Sequence, residues 1–257
     1  METGLNPAWQ MLEMLPTQRP QGDEVWVWSF STLGGSFLPA LEALLDDREA
    51  QRAGRLRSKR AQAEFVSGRG LLRLALGKIL GLPASEVRFG SVGNGKPVLD
   101  GSQTHQELHF NLAHSHGMGL LAIASHAGVG VDVERLRVVS DQVSLARRYF
   151  HPNEVAHLEM LQADGDRLKA FFHAWTRKEA FLKATGTGIG FGLDRVEVTL
   201  GPEVTARLVR IDESEDAAVG WTLRHLEPGN GWMAALALRA PCGRLVTSHV
   251  DLGLIAG

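Results

Sequence analysis

The chain has 257 residues, enough for one large domain or two small ones with a sizeable core. A net charge of -2 excludes a protein that coats nucleic acid by bulk attraction, so any phosphate recognition must come from a local basic cluster. The only cysteine, Cys242, excludes an internal disulfide framework and multi-cysteine zinc sites.

In chain order, the first twenty residues carry no basic region followed by a long apolar one. No apolar run anywhere reaches the roughly 18–20 residues that a membrane helix needs. The expectation is a soluble, cytoplasmic protein with no membrane and no nucleic-acid partner. "EVWVWSF" opens the folded part as a strand, and a helix begins near Pro39. One long basic amphipathic stretch follows from Arg48 to Leu80, with Arg52, Arg55, Arg60, Arg69 and Arg73 set against Phe65, Leu72 and Leu76. "GNGKPVL" reads as a turn leading into an extended segment at Pro97. "ELHFNLA" and "LLAIASH" form a hairpin through the turn "HSHGMG".

The strand "GVGVDVERL" follows. Period two sends Val129, Val131 and Val133 to one face and Gly130, Asp132 and Glu134 to the other. Helical patterns then run over Asp141–Tyr149, Pro152–Gln162 and Asp166–Thr185. Five strands end the chain: "RVEVTL", "TARLVRI", "GWTLRHL", "WMAALAL" and "LVTSHV". Helices and strands are segregated rather than alternating, which favours an α+β fold over a doubly wound sheet.

Two constellations point to chemistry. Asp132 and Glu134 project from one strand face about 7 Å apart along the backbone. That suits Mg²⁺, which one or two carboxylates hold together with substrate phosphate oxygens, although a solvated strand face carries such acids too. In the last long helix Leu168, Phe171, Phe172 and Trp175 form an inward stripe whose continuation by fours reaches Glu179 and Lys183. A surface Glu–Lys pair is the alternative. The aromatic neighbours at 172 and 175 favour partial burial, where a carboxylate needs a partner. Lys178, one residue off the stripe, reaches either the site or solvent. His114 and Ser115 enter a turn at a strand end. They suit phosphate binding better than nucleophilic catalysis, because no strand–turn–helix elbow is present. Lys96 sits on a tight turn, and Arg69 follows the apolar "EFVSG".

"GKP", "NLAHS", "GVDVE" and "WTRKEAFLKATGTGI", in that order, resemble the Sfp-type 4′-phosphopantetheinyl transferase family. The matching blocks run from about residue 94 to 190. Gly-x-Asp-x-Glu followed about forty-five residues on by Trp-x-x-Lys-Glu-Ala-x-x-Lys makes the resemblance specific. It implies two similar α/β halves related by a pseudo-twofold axis, at about 1–126 and 127–257, with the active site in the cleft between them. The implied protein is a monomer that uses coenzyme A as substrate and Mg²⁺, with Mn²⁺ as the alternative ion. It transfers phosphopantetheine to a serine of an acyl, peptidyl or aryl carrier protein.

By the same resemblance Asp132, Glu134 and Glu179 are metal ligands, and Glu179 and Lys183 are catalytic. Lys96, His114, Ser115 and the arginines Arg55, Arg60 and Arg69 contact coenzyme A, with Arg69 favoured for the adenosine 3′-phosphate. Ala113 departs from the family's usual serine, so a hydroxyl contact is lost there. Arg147, Arg148, Tyr149 and Phe150 suggest a docking surface for an acidic carrier helix. A non-catalytic coenzyme A or carrier-binding module and a Mg²⁺ nuclease or phosphatase are the rival functions.

Overall fold

In the computed structural model two helices of 22 residues each lie on a sheet of their own, and the two sheets share an apolar interior. The structure describes residues 8–103, 107–201 and 205–256. The first seven residues of the N-terminal stretch searched above for a targeting signal lie outside the described ones. From the N-terminus come β1 (Gln10–Leu12), β2 (Glu24–Ser31), α1 (Leu38–Glu42), α2 (Asp47–Gly54) and α3 (Lys59–Leu80). Next are β3 (Phe89–Val92), β4 (Lys96–Leu99), β5 (His109–Ser115), β6 (Met118–Ala124) and β7 (Val129–Arg135). The helices α4 (Gln142–Tyr149), α5 (Pro152–Met160) and α6 (Asp164–Thr185) follow. The chain closes with β8 (Val196–Val198), β9 (Leu208–Ile211), β10 (Thr222–Leu226), β11 (Trp232–Leu238), β12 (Arg244–Val250) and α7 (Leu252–Ile255).

The first sheet has the order β1-β12-β2-β6-β5 and the second β10-β11-β7, with small hairpins β3-β4 and β8-β9 beside them. Alternation along each strand assigns its two faces. In β2 and β6 the residues Trp28, Phe30, Leu121 and Ile123 pack with Leu72 and Leu76 of α3. Val25, Val27, Leu120 and Ala122 turn the other way and meet Val129, Val131, Val133 and Leu236 of the second sheet. The opposite face of β11, Met233, Ala235 and Ala237, joins Phe171, Phe172 and Phe181 of α6. The valines of β7 thus belong to the shared interior, and its acids look towards α6.

Two features depart from the sequence reading. The basic stretch from Arg48 is two helices, because Asp46 caps α2 in a reciprocal capping box with Glu49 and Ser58 caps α3. Arg73 on α3 is fully buried: its Nε donates to Glu49 Oε2 at 2.6 Å, Nη2 to Asp46 Oδ2 at 2.9 Å and Nη1 to the Val87 carbonyl at 2.8 Å. This part of the basic face ties α2 to α3 rather than facing water. The second departure is β12, which crosses the division at residue 127 and pairs in parallel with both β2 and β1 of the first sheet. Its pattern marks a strand but carries no information about which sheet receives it.

On the buried side of α6, His173 and His225 meet with ring centroids 4.4 Å apart and planes tilted by 55°, and Arg177 Nη2 lies 3.4 Å from His173 Nδ1. Burial, then the neighbouring His225, Arg177 and Lys169, drive His173 down to about 2. Burial also lowers His225, whose Nε2 lies 3.2 Å from Glu227 Oε1. Both imidazoles are therefore neutral in the fold, whereas in the unfolded chain they titrate near 6.5. The unfolded state binds more protons below that value, so stability is full above pH 6.5 and falls as pH drops through it. The expected slope is about 1.4 kcal/mol per pH unit for each histidine. Urea unfolding at pH 7.0 and 5.0 (~ two pH points bracketing the transition) should show His173→Leu losing less stability than the parent chain on acidification. An equal loss would mean that the pair does not set the slope.

Candidate active site

Gly130 decides where α6 rests. A Cβ on it would lie 2.1 Å from the Ala180 carbonyl oxygen and 2.3 Å from the Ala184 nitrogen, so the helix backbone sits directly on the strand. Ala180 and Ala184 are one turn apart and present the same small-residue face. That contact brings Glu179 and Lys183, their immediate neighbours on α6, onto the same side as Asp132 and Glu134. Lys183 Nζ donates to Asp132 Oδ1 at 2.6 Å. Glu134 is held from the other side: Ser115 Oγ donates to its Oε2 at 2.8 Å, and Arg137 Nη1 lies 3.6 Å from the same oxygen.

The first sheet fixes β7 through a side chain rather than through strand pairing. The buried Asn111 of β5 accepts a hydrogen bond from Val131 N–H at 2.9 Å through its Oδ1. Asn111, Ala113 and Ser115 share one face of β5, and Ala113 is buried in the interior shared by the sheets. A serine there would stand among apolar side chains, so the departure at Ala113 falls in packing. The hairpin β3-β4 holds the far end of α6. Lys96 Nζ donates to the carbonyls of Val129, Lys183 and Ala184 at 2.9, 2.7 and 3.1 Å, and Asn94 Nδ2 donates to the Thr187 carbonyl. An ammonium has three protons. The placement of Lys96 therefore differs from the expected phosphate contact: its donors face the last turn of α6, where carbonyls lack helical partners.

The three acids are electrostatically coupled. Burial, partly offset by the Ser115 hydrogen bond and reinforced by Asp132, raises Glu134 above the usual carboxylate range. Burial and then Asp132 raise Glu179, against the pull of Lys183. Asp132 Oδ2 and Glu179 Oε1 are buried without a hydrogen-bond partner. Among the described residues no three His, Cys, Asp or Glu side chains already gather into a cage around a metal position. The donor set is nonetheless all carboxylate oxygen, two of its buried oxygens are orphaned, and the bond on Asp132 comes from a mobile-length lysine stem. Such a set fits a hard divalent cation completed by phosphate or water oxygens.

His114 stands on the opposite face of β5 from Ser115, with Nδ1 3.5 Å from Glu64 Oε2, and Arg60 pairs with Glu64 at 3.1 Å. Burial chiefly lowers His114, with Lys183 contributing in the same direction. Arg60 and His114 thus gather on Glu64, whereas His116 Nδ1 lies 3.0 Å from the Ser115 hydroxyl that holds Glu134. Arg69 is largely buried, 3.2 Å from Glu49 Oε1, with its guanidinium carbon 4.9 Å from the Phe89 ring centre. Its Nη1 is buried without a partner. Arg55 stands exposed at the end of α2, away from these contacts. Phe150 is buried against Phe171 and Trp175, and Arg147 pairs with Glu159 at 2.6 Å. Phe150 is therefore core, whereas Tyr149 stays partly exposed with Arg148 over its ring.

Lys178 takes the structural course. It is fully buried, 2.7 Å from Glu154 Oε2, and its Nζ also donates to the carbonyls of Leu193 and Val196. The sequence reading did not single out Asn111, Glu64 or Arg137. Asn111 had a signal, a polar residue on the inward face of an alternating strand. Glu64 and Arg137 had none beyond their charge.

A family model for the 4′-phosphopantetheinyl transferase superfamily matches residues 128–237, and one for the N-terminal part of 4′-phosphopantetheinyl transferases matches residues 33–128. The chain is 38% identical over 217 residues to the 4′-phosphopantetheinyl transferase HetI of Nostoc sp., covering 84% of this chain and 88% of that one. It is 32% identical to the 4′-phosphopantetheinyl transferase psf-1 of Bacillus pumilus, over 72% of this chain and 73% of the relative. The human L-aminoadipate-semialdehyde dehydrogenase-phosphopantetheinyl transferase is 28% identical over 88% of this chain and 77% of its own length. The chain belongs to the 4′-phosphopantetheinyl transferase superfamily. It is a transferase of the phosphopantetheinyl group.

Gly130→Ala tests the seating of α6. The new methyl meets helix backbone rather than a flexible side chain, so destabilisation of about 1–3 kcal/mol or more is expected by urea titration, with loss of transfer. Stability and transfer equal to those of the parent chain would show that α6 tolerates a shift on β7.

Proposed function

We propose that the chain moves 4′-phosphopantetheine from coenzyme A to a serine hydroxyl of an acyl, peptidyl or aryl carrier protein, and that it works as a cytoplasmic monomer with Mg²⁺, or Mn²⁺ in its place. Two orphaned buried oxygens in a cluster of three carboxylates, beside a lysine, carry this reading. Asp132, Glu134 and Glu179 would hold the ion. When bound, it supplies neutralisation of charge on the pyrophosphate oxygens. The division at about residue 127 accords with the two sheets, with β12 assigned to the first.

The remaining roles follow from the chain's own groups. Glu179, raised by burial, is better suited to take the serine proton, directly or through a water it orients, than an exposed carboxylate would be. The serine oxygen then bonds to the β-phosphorus of coenzyme A, and the bond to adenosine 3′,5′-bisphosphate breaks. Lys183, once free of Asp132, stabilises the charge that accumulates on the leaving phosphate. Ser115 positions Glu134 rather than contacting coenzyme A. Arg60 and His114 are our first choice for its phosphates; Arg69, with an unpartnered buried Nη1, is kept for the 3′-phosphate and Arg55 is the weakest member of the set. Arg147 and Arg148 remain as charge for an acidic carrier helix, without Phe150.

Asp132→Asn should fold with unchanged or higher stability, because it removes a charge from a crowded acidic cluster. It should lose nearly all transfer, followed by the mass gain of an apo-carrier protein and by release of adenosine 3′,5′-bisphosphate. Parent-like transfer in Asp132→Asn would overturn the metal assignment. Bisphosphate released without any carrier would instead favour the hydrolase reading, and carrier binding without transfer the non-catalytic one.

A further inference from the structure

We propose that Lys183 is a resident counter-cation: its ammonium occupies the acidic cluster until a divalent ion arrives, and must leave Asp132 for that ion to bind. The inference rests on the metal-site reading above and adds a second role to the lysine. Three observations carry it. Lys183 Nζ donates to Asp132 Oδ1 at 2.6 Å, and among the described residues no other carboxylate accepts from it. Asp132 is 6% exposed, and its second oxygen, Oδ2, has no partner, as is also true of Glu179 Oε1. The lysine satisfies one oxygen of a cluster that has unsatisfied ones left over. Lys183 itself is 30% exposed along its side chain, so its stem has somewhere to go.

The alternative is a permanent structural bridge, and α6 supplies the comparison. Lys178 is wholly enclosed and bonds three acceptors at once, one carboxylate oxygen and two carbonyls. Its charge has no route out. Lys183 holds a single oxygen near solvent, the pattern of a contact that can exchange. An ammonium and a divalent cation compete for the same lone pairs on Asp132 Oδ1, so each weakens the other at that oxygen. Released by the ion, the ammonium is free to pair with an incoming phosphate. The exchange would link arrival of the ion to exposure of a phosphate-binding charge.

Mn²⁺ binding to the full chain without coenzyme A, followed by calorimetry and by the electron paramagnetic resonance of free Mn²⁺, tests this apart from activity. Lys183→Met should bind Mn²⁺ about tenfold more tightly, the order expected when an incoming ion no longer displaces a charge-assisted hydrogen bond. In EDTA the same variant should melt at a lower temperature than the parent chain, and Mn²⁺ should raise its Tm by more. Removing any nearby positive charge favours a cation, so Arg137→Gln serves as the control. Arg137 lies 3.6 Å from Glu134 and bonds no oxygen of Asp132. Its variant should tighten Mn²⁺ binding by less than about threefold, the screened effect of a half-exposed charge. Should Lys183→Met fold poorly, Lys183→Gln keeps a polar chain of similar length and should show the same ordering. Mn²⁺ affinity in the Lys183 variants equal to or below that of the parent, or no greater than in Arg137→Gln, would overturn the proposal. Absence of Mn²⁺ binding by the parent, or binding unaffected by Asp132→Asn, would instead overturn the metal site on which it rests.

Discussion

The approach of α6 to β7 at Gly130 is the constraint from which the site follows. A helix normally keeps about 8–10 Å from what it packs against because side chains intervene. Here a glycine on the strand and alanines at 180 and 184 on the helix remove them. Backbone contact leaves the helix little freedom to rotate, and the neighbours of the two alanines are then committed. Glu179 and Lys183 lean to the side on which Asp132 and Glu134 emerge, two and four residues beyond the glycine on the same strand face. A larger residue at 130 would raise the helix and separate Glu179 and Lys183 from Asp132 and Glu134. The chemistry therefore depends on residues with no chemistry of their own.

The buried charges sort into two kinds. Arg73 with Glu49 and Asp46, and Lys178 with Glu154, are networks around a fully buried cation that is bonded to carboxylate and to carbonyl oxygens. Desolvation raises Glu154 and lowers Lys178, but each keeps the other close and the network has no opening. Such groups join elements: α2 to α3 in one case, α5 to α6 in the other. The cluster of Asp132, Glu134 and Glu179 is less deeply buried and has too few donors: Asp132 Oδ2 and Glu179 Oε1 lack a partner. Leaving buried polar atoms unsatisfied costs stability, and this is where a protein accepts that cost for binding.

The sequence carried the elements and the acids well. Alternation in β2, β5, β6 and β7 and the stripe on α6 rest on short-range periodicity, which packing preserved. Asp132, Glu134, Glu179 and Lys183 were legible because two local patterns each placed their charges on a face that should be buried. What was not legible involves pairing at a distance. Nothing in "LVTSHV" says that β12 lies between β1 and β2, and three residues are too few to mark β1 at all. Lys96 read as a solvated or phosphate-binding lysine because its partners are backbone carbonyls more than thirty residues away, which have no identity in sequence. Lys178 lies one residue off the stripe that carries Lys183, and only Glu154 of α5 and the loop after α6 show that it is enclosed.

The first half of the chain also takes a part in the second half's site. Ser115 orients Glu134, Asn111 satisfies the backbone of β7 beside Asp132, and Lys96 with Asn94 fastens the last turn of α6. Burial lowers Lys96 to about 8, and at neutral pH it still carries the charge that suits a helix C-terminus. A Cβ at Gly93 would lie 2.5 Å from the Gly186 carbonyl oxygen, so the hairpin turn touches the helix cap as closely as the strand touches the helix side. The helix that bears Glu179 and Lys183 is thus held at one point by its own sheet and at its end by the other half. A cleft between two halves is usually free to open. Here its floor is bonded across, so any movement on binding falls to side chains at the rim and to the lysine that the acids share.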